Sequence, residues 1–266
     1  MNDDDLKQLK RWFADYVAGF YTDDSAYNIP IRLKEEHTKR VCQSIFLLGK
    51  ALGLSNQDMI LAETVALFHD IGRFRQYAVY GTFNDRASEN HARLGLRQMA
   101  KHRVLSACAK TERRLISTAI AFHNAAEIPK NHDEKTRFFM RLIRDADKLD
   151  IWKVFIDYYH EREKLPGTLI ETGLPDDPAC SPQVIQALCE CRYVRMQDVR
   201  TVNDVKLLQI SWVFDLNFAP AFQEVLRREF IEQIAATLPG TKAVAKAVQQ
   251  ARNYVQSRIT YAKGEN

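Results

Sequence analysis

The chain has 266 residues, 46% of them hydrophobic, with 38 basic and 34 acidic side chains and a formal net charge of +4. That is apolar material for one substantial core with a helical appendage. The charges alternate without a like-signed run or a nucleic-acid module, so specific nucleic-acid binding is not expected, and no apolar run approaches the roughly 18 residues of a membrane span.

Glycine and proline are sparse, at 10 and 8 residues, and Leu, Ala, Gln, Glu, Lys and Arg dominate the long segments, which favours an all-α fold. Apolar residues recur at helical spacing over 5–20, 31–53, 57–69, 88–101, 112–125 and 134–160. Pro30 is expected just ahead of the second helix, Gly53 near its end, Gly72 as a break after the third, and Pro129 with Asn131 after the fifth. The stretch KLPGTLIETGLPDDPACSP collects four prolines and two glycines. Residues 164–181 therefore read as a loop between a main domain, 1–163 with its core at 30–155, and a C-terminal helical extension, 182–266. Helices are expected there over 182–194, 203–213, 219–237 and 241–262. The last carries Val244, Val248, Ala251, Val255 and Ile259 as one stripe, either core or the interface of a homo-oligomer.

The titratable residues interrupt these stripes. His37 shares a helical face with Val41, Ile45, Leu48 and Leu52; His69 shares one with Leu61 and Val65, with Asp70 adjacent. His123 aligns with Ile116, Ala119 and Ile120, Asp147 with Met140, Ile143 and Ile151, and His91 precedes Leu94 and Gly95. A single histidine on an apolar face is more often a hydrogen-bonded core residue than a ligand. Four histidines and two aspartates directed into one core are different, because uncompensated buried carboxylates cost several kcal/mol each unless paired or metal-bound. Imidazole and carboxylate without thiolate suit Fe, Mn, Co, Ni or Zn, with Fe or Mn favoured, and six side chains hold two divalent ions if one carboxylate bridges them. Asp70 is the natural bridge, since His69 and Asp70 leave a helix about 100° apart.

Other histidines read as bland. His132 and Asp133 form a second His-Asp pair, but in a polar stretch where Asp133 is better explained as a helix N-cap. His102, in a basic run, and His160 are expected at the surface. Cys42, Cys108, Cys180, Cys189 and Cys191 lack CxxC pairing and read as reduced thiols, several in the core; Cys189 and Cys191 alone would make a poor metal site. The start MNDDDLKQLKRWF lacks the order of a secretory signal, so a soluble cytoplasmic protein is expected.

With these residues in place, ALFHDIGR followed by RDADKLD, with His37 upstream in KEEHTKRV, resembles the HD superfamily of metal-dependent phosphohydrolases over roughly residues 30–155. The resemblance implies an all-α HD-domain helical bundle. It places His37, His69, Asp70 and Asp147 on a first metal and Asp70, His91 and His123 on a second. YGTFNDRASENHARLG is also similar to uncharacterised bacterial HD proteins, whereas the GYP element of cyclic-dinucleotide phosphodiesterases and the synthetase domain of alarmone enzymes are absent. The implied reaction is hydrolysis of a phosphate ester or anhydride of a small phosphorylated substrate, nucleotides included, by metal-activated water at Asp70. Lys148 and Arg73 are the expected catalytic cations, with Arg144 a further phosphate contact. Di-iron HD-type oxygenases are similar in ligands, and a catalytically silent, metal-stabilised binding domain is a third reading.

Overall fold

The computed structural model describes residues 1–161 and 173–264, and among them every regular element is helical. The expected all-α fold is what the chain adopts. It forms two compact units, Met1–Asp150 and Ile151–Asn266. Half of the Pro/Gly-rich segment expected as a loop, residues 164–172, lies outside the described residues, and residues 173–181 carry no helix.

The first unit holds α1 (Asp3–Ala18), α2 (Ser25–Ala51), α3 (Asn56–Phe68), α4 (Gly72–Tyr80), α5 (His91–Lys101), α6 (Lys110–Phe122) and the start of α7 (Glu134–Glu161). Local chemistry sets their starts. Asn2 and Asp5 form a capping box on α1, Ser55 accepts from the Asp58 N–H at 3.2 Å, and Asn90 accepts from the Arg93 N–H at 3.0 Å. Asp133 caps α7 as expected, accepting from the Thr136 N–H at 2.9 Å. Pro30, expected ahead of α2, lies inside it. Asp24 opens the helix earlier by accepting from Ala26 N–H at 2.9 Å, and Pro30 and Ile31 are buried, so packing offsets one lost backbone bond.

α3 is buried on nearly every side, from Ile60 to Phe68, with α1, α2 and α6 packed around it. A helix apolar all round belongs at the centre of a core, and whatever follows it emerges there too. His69 and Asp70 are those residues. Gly72, expected as a break, instead opens α4, which the periodicity does not show. A Cβ at Gly72 would lie 2.1 Å from the His91 carbonyl oxygen and 2.6 Å from the Gly95 nitrogen. Glycine is needed for space: backbone meets backbone, and the start of α5 is drawn against the His-Asp pair.

In the second unit α8 (Pro182–Cys189) and α10 (Ala219–Arg227) pack on α12 (Lys242–Gly264), and α9 (Val202–Ser211) packs on α8 and α11 (Phe230–Ala235). The α12 stripe Val244, Val248, Ala251, Val255 and Ile259 is buried within the chain, which makes it core. Trp152 is fully buried, donates to the Gln209 carbonyl at 2.9 Å and stacks on Phe230 at 5.6 Å. The helix expected over 219–237 is broken where Glu229 turns left-handed (φ +52°), and that over 182–194 ends at Cys189, with Cys191 left-handed likewise. All five cysteines are free and half-buried, where several were expected in the core. No helix among the described residues is long and apolar enough to cross a membrane.

Candidate metal centre

Six side chains from five helices or helix ends meet inside the first unit. His37 comes from the middle of α2, His69 and Asp70 from the end of α3, His91 from the first position of α5, His123 from the end of α6 and Asp147 from α7. The four histidines and Asp70 are at most 5% exposed, and Asp147 is more open, with 16% of its side chain accessible.

The contacts fall into two groups. His37 Nε2 and His69 Nε2 are 3.2 Å apart, and Asp70 Oδ2 lies 3.5 Å from the first and 3.9 Å from the second. Asp147 Oδ1 joins this group at 3.2 Å from His37 Nε2 and 3.6 Å from His69 Nε2. On the other side, His91 Nε2 and His123 Nε2 are 3.0 Å apart, with Asp70 Oδ1 at 3.2 and 3.7 Å. Each oxygen of Asp70 therefore faces its own pair of imidazoles.

The tautomers follow from the far side of each ring. His69 Nδ1 faces the Ala66 carbonyl at 2.7 Å and His123 Nδ1 the Ile120 carbonyl at 2.8 Å; a carbonyl only accepts, so these nitrogens carry the protons. His37 Nδ1 donates to Asp150 at 2.6 Å, and His91 Nδ1 to Asp85 at 2.7 Å. In the neutral rings all four Nε2 lone pairs then point at one another and at carboxylate oxygens. Lone pairs 3 Å apart repel, and donors bound about 2.1 Å from one ion stand roughly 3.0–3.5 Å from each other. Asp147 Oδ1 is buried without a hydrogen-bond partner despite its two histidine neighbours. A converging set of acceptors with an orphaned carboxylate oxygen fits divalent cations.

The electrostatics agree. Burial alone would raise Asp70 and Asp147, but Lys34, His69 and Arg73 around the first, and His37 and His69 beside the second, hold both carboxyls well below the ordinary range. Both stay ionised. Burial and the nearby His91 and His69 bring His123 down to about 4, which keeps its ring neutral. For His37, burial and Lys34 act downward but the carboxylates of Asp147 and Asp150 prevail, and its pKa is raised.

Some groups around the centre escape sequence reasoning. Lys34 donates to Asp70 Oδ2 at 2.8 Å. Asp85 takes His91, Arg73 Nη1 at 2.8 Å and Gln76 at 2.9 Å, and Asp150 takes both His37 and Arg40. Lys34 was visible three residues before His37 on the same face, and Asp150 one turn after Asp147; Asp85, in a loop, carries no periodic signal. Arg73, expected on substrate, commits Nη1 to Asp85, Gln76 and the Phe83 carbonyl, with Nε 3.6 Å from Asp70 Oδ1. Arg144, expected on phosphate, is buried and its Nη1 donates to the His123 and Ala125 carbonyls; it braces the turn that follows His123. Lys148 is half-buried beside Asp147 on α7. His102 and His160 are exposed, as expected.

A family model for the HD domain matches residues 35–185, more than half of the chain, a span that includes the six candidate positions. The chain belongs to the HD superfamily of metal-dependent phosphohydrolases. It matches no curated protein and no solved structure. Buried clusters that can hold metal, His37–His69–Asp70 and Asp70–His91–His123, are those the fold brings together.

Proposed function

We propose that this protein hydrolyses a phosphate ester or anhydride of a small phosphorylated molecule, in the nucleotide class among others, at a dinuclear metal centre. The observation that carries the reading is the Asp70 carboxylate, whose Oδ2 and Oδ1 face separate histidine pairs. His37, His69, Asp147 and Asp70 would hold one ion, and His91, His123 and Asp70 the other. The nitrogen and oxygen donor set suits Fe or Mn first, then Co, Ni or Zn. When bound, such a pair supplies a nucleophile from water at neutral pH and neutralises charge on the phosphoryl oxygens.

The protein supplies positioning and charge. Asp85 and Asp150 fix the rings of His91 and His37, and such outer hydrogen bonds set both orientation and basicity. Lys34, 2.8 Å from Asp70, brings an ammonium to the centre, and Lys148, the residue after Asp147, projects about 100° away around the helix. These two lysines are the proposed partners of the phosphoryl group. Arg73 and Arg144 act behind them, one holding Asp85 and the other the His123 turn.

The test is metal analysis of protein purified without added metal, then a screen of phosphorylated metabolites in ¹⁸O-labelled water, with and without dioxygen. Two ions per chain, and product phosphate carrying solvent oxygen at a rate indifferent to dioxygen, are expected. Strict dioxygen dependence would assign the centre to oxygenase chemistry, and a fully loaded protein that turns over nothing would make it a binding domain.

A further inference from the structure

The segment between α5 and α6 belongs to the basic run around His102, which the metal centre does not use. Here the surface carries a half-open pocket of about 530 Å³, with Arg103, Ser106 and Arg113 exposed at its rim. Its floor is apolar, made by Leu96, Met99 and Leu105, the last two buried. Ala100, Arg103, Arg113, Ser106 and Ser117 complete the lining. α5 begins at His91 and α6 ends just before His123, so the pocket lies at the opposite ends of these two helices, roughly 10 Å along their axes from the metal centre.

Many arginines of this chain are ion-paired, as Arg97 is to Glu89, and two features set Arg103 and Arg113 apart. Neither Arg103 nor Arg113 has a side-chain hydrogen bond or ion pair to any other described residue. Lys101, Lys110 and Arg114 add to the same charge, while the one acid in this stretch, Glu112, is already occupied by the Ala109 N–H at 3.1 Å and the Met1 amino group. Arg103 is also one of the few non-glycine residues in the left-handed region (φ +51°), a conformation L side chains rarely adopt and one over-represented where binding needs it. Volumes of this order accept a small organic molecule, and a mostly apolar lining with a few convergent polar groups is the usual form of such sites.

We infer that this pocket is a second ligand site, separate from the metal centre, for a small amphipathic anion. A carboxylate or phosphate head would take charge-assisted hydrogen bonds from Arg103 and Arg113, with the serine hydroxyls as further donors, and an alkyl or ring body would cover Leu96, Met99 and Leu105. An inorganic anion alone leaves the apolar floor wet, and a neutral lipid leaves the arginines unmatched. Only a molecule with both parts satisfies the lining.

The test is calorimetric titration of the full chain, loaded with its metal, with octyl phosphate, octanoate, octanol and octyltrimethylammonium. Both anions should bind about tenfold or more tightly than octanol and the cation, and the stronger of the two identifies the head group. Arg103→Gln with Arg113→Gln should remove that advantage and leave octanol binding as it was. Ala100→Trp, which fills the pocket, should abolish binding of all four. Asp70→Asn should bind octanoate as the unmodified chain does. Equal binding of anion and cation, an unchanged double-arginine variant, or octanoate binding that disappears with Asp70→Asn would each overturn the assignment.

Discussion

Gly72→Ala tests the link between packing and the metal centre most directly. The added Cβ would lie 2.1 Å from the His91 carbonyl oxygen and 2.6 Å from the Gly95 nitrogen, and both are backbone atoms that cannot swing aside. A carbon–oxygen contact tolerates about 3.3 Å, so α4 and α5 must part by about 1 Å. His91 opens α5, with its Nε2 3.2 Å from Asp70 Oδ1 and 3.0 Å from His123 Nε2. Coordination tolerates only about 0.2 Å, so the ion of the His91–His123 pair should be lost while that of the His37–His69 pair stays. Overpacking costs about 1–3 kcal/mol, more than the gain of up to about 1 kcal/mol for replacing glycine in a helix. Elemental analysis should find one ion per chain instead of two, with a melting temperature several degrees lower. Gly240→Ala, where a Cβ meets nothing within 4 Å, is the control and should change neither. Two tightly held ions and an unchanged melting temperature in Gly72→Ala would refute the coupling of this backbone contact to the site.

Asp70→Ala should lose both ions, whereas His91→Ala or His123→Ala should lose one; equal metal content in all three variants would remove Asp70 as the bridge. Asp85→Asn should weaken one ion's affinity by about 10- to 100-fold, read by competition with a chelator, because His91 loses its anionic partner. On acidification the ion beside His37 should leave first. Protons compete for the ring whose pKa is raised, while His123, near 4, stays neutral well below neutral pH; a pH titration of metal content showing simultaneous release would count against this. Lys148→Met should keep its metal and fold but turn over phosphorylated substrates about a hundredfold more slowly, and undiminished turnover would return Lys148 to a purely structural part.

The six candidate ligands are legible in the sequence because buried polar residues break an apolar period, three of them within helices and three just past helix ends. The helices that carry them were legible for the same reason. α4 was not: its nine residues bury Phe74 and Gln76 but present no recurring apolar stripe, and its placement comes from the absence of a side chain at Gly72. Pro30 does not mark the start of α2, because the Asp24 cap and the burial of Pro30 and Ile31 outweigh the lost backbone bond. Arg144 is tied to backbone that periodicity does not show. Its spacing from Lys148 suits a phosphate contact, while its Nη1 donates to the carbonyls of His123 and Ala125, and loop carbonyls leave no trace in a periodic pattern.

What the fold adds is a division of labour between two kinds of histidine. His69 and His123 sit at helix C-termini, where the last carbonyls lack partners, and each turns its Nδ1 to the carbonyl three residues back. Their orientation is local and forms with the helix. His37 and His91 depend on carboxylates from outside their own helices, Asp150 from 113 residues away and Asp85 from the loop six residues ahead of His91. Each half of the centre combines one of each kind, joined through one oxygen of Asp70. Neither half can therefore be completed by a helix alone, and each needs a ring oriented by a carboxylate from outside its helix. If the proposed ions bind, their affinity would report on folding: α2 must meet α7 for one half, and the loop before α5 must close on His91 for the other. Loosening either carboxylate should weaken its own half first, before the helices that carry the ligands come apart.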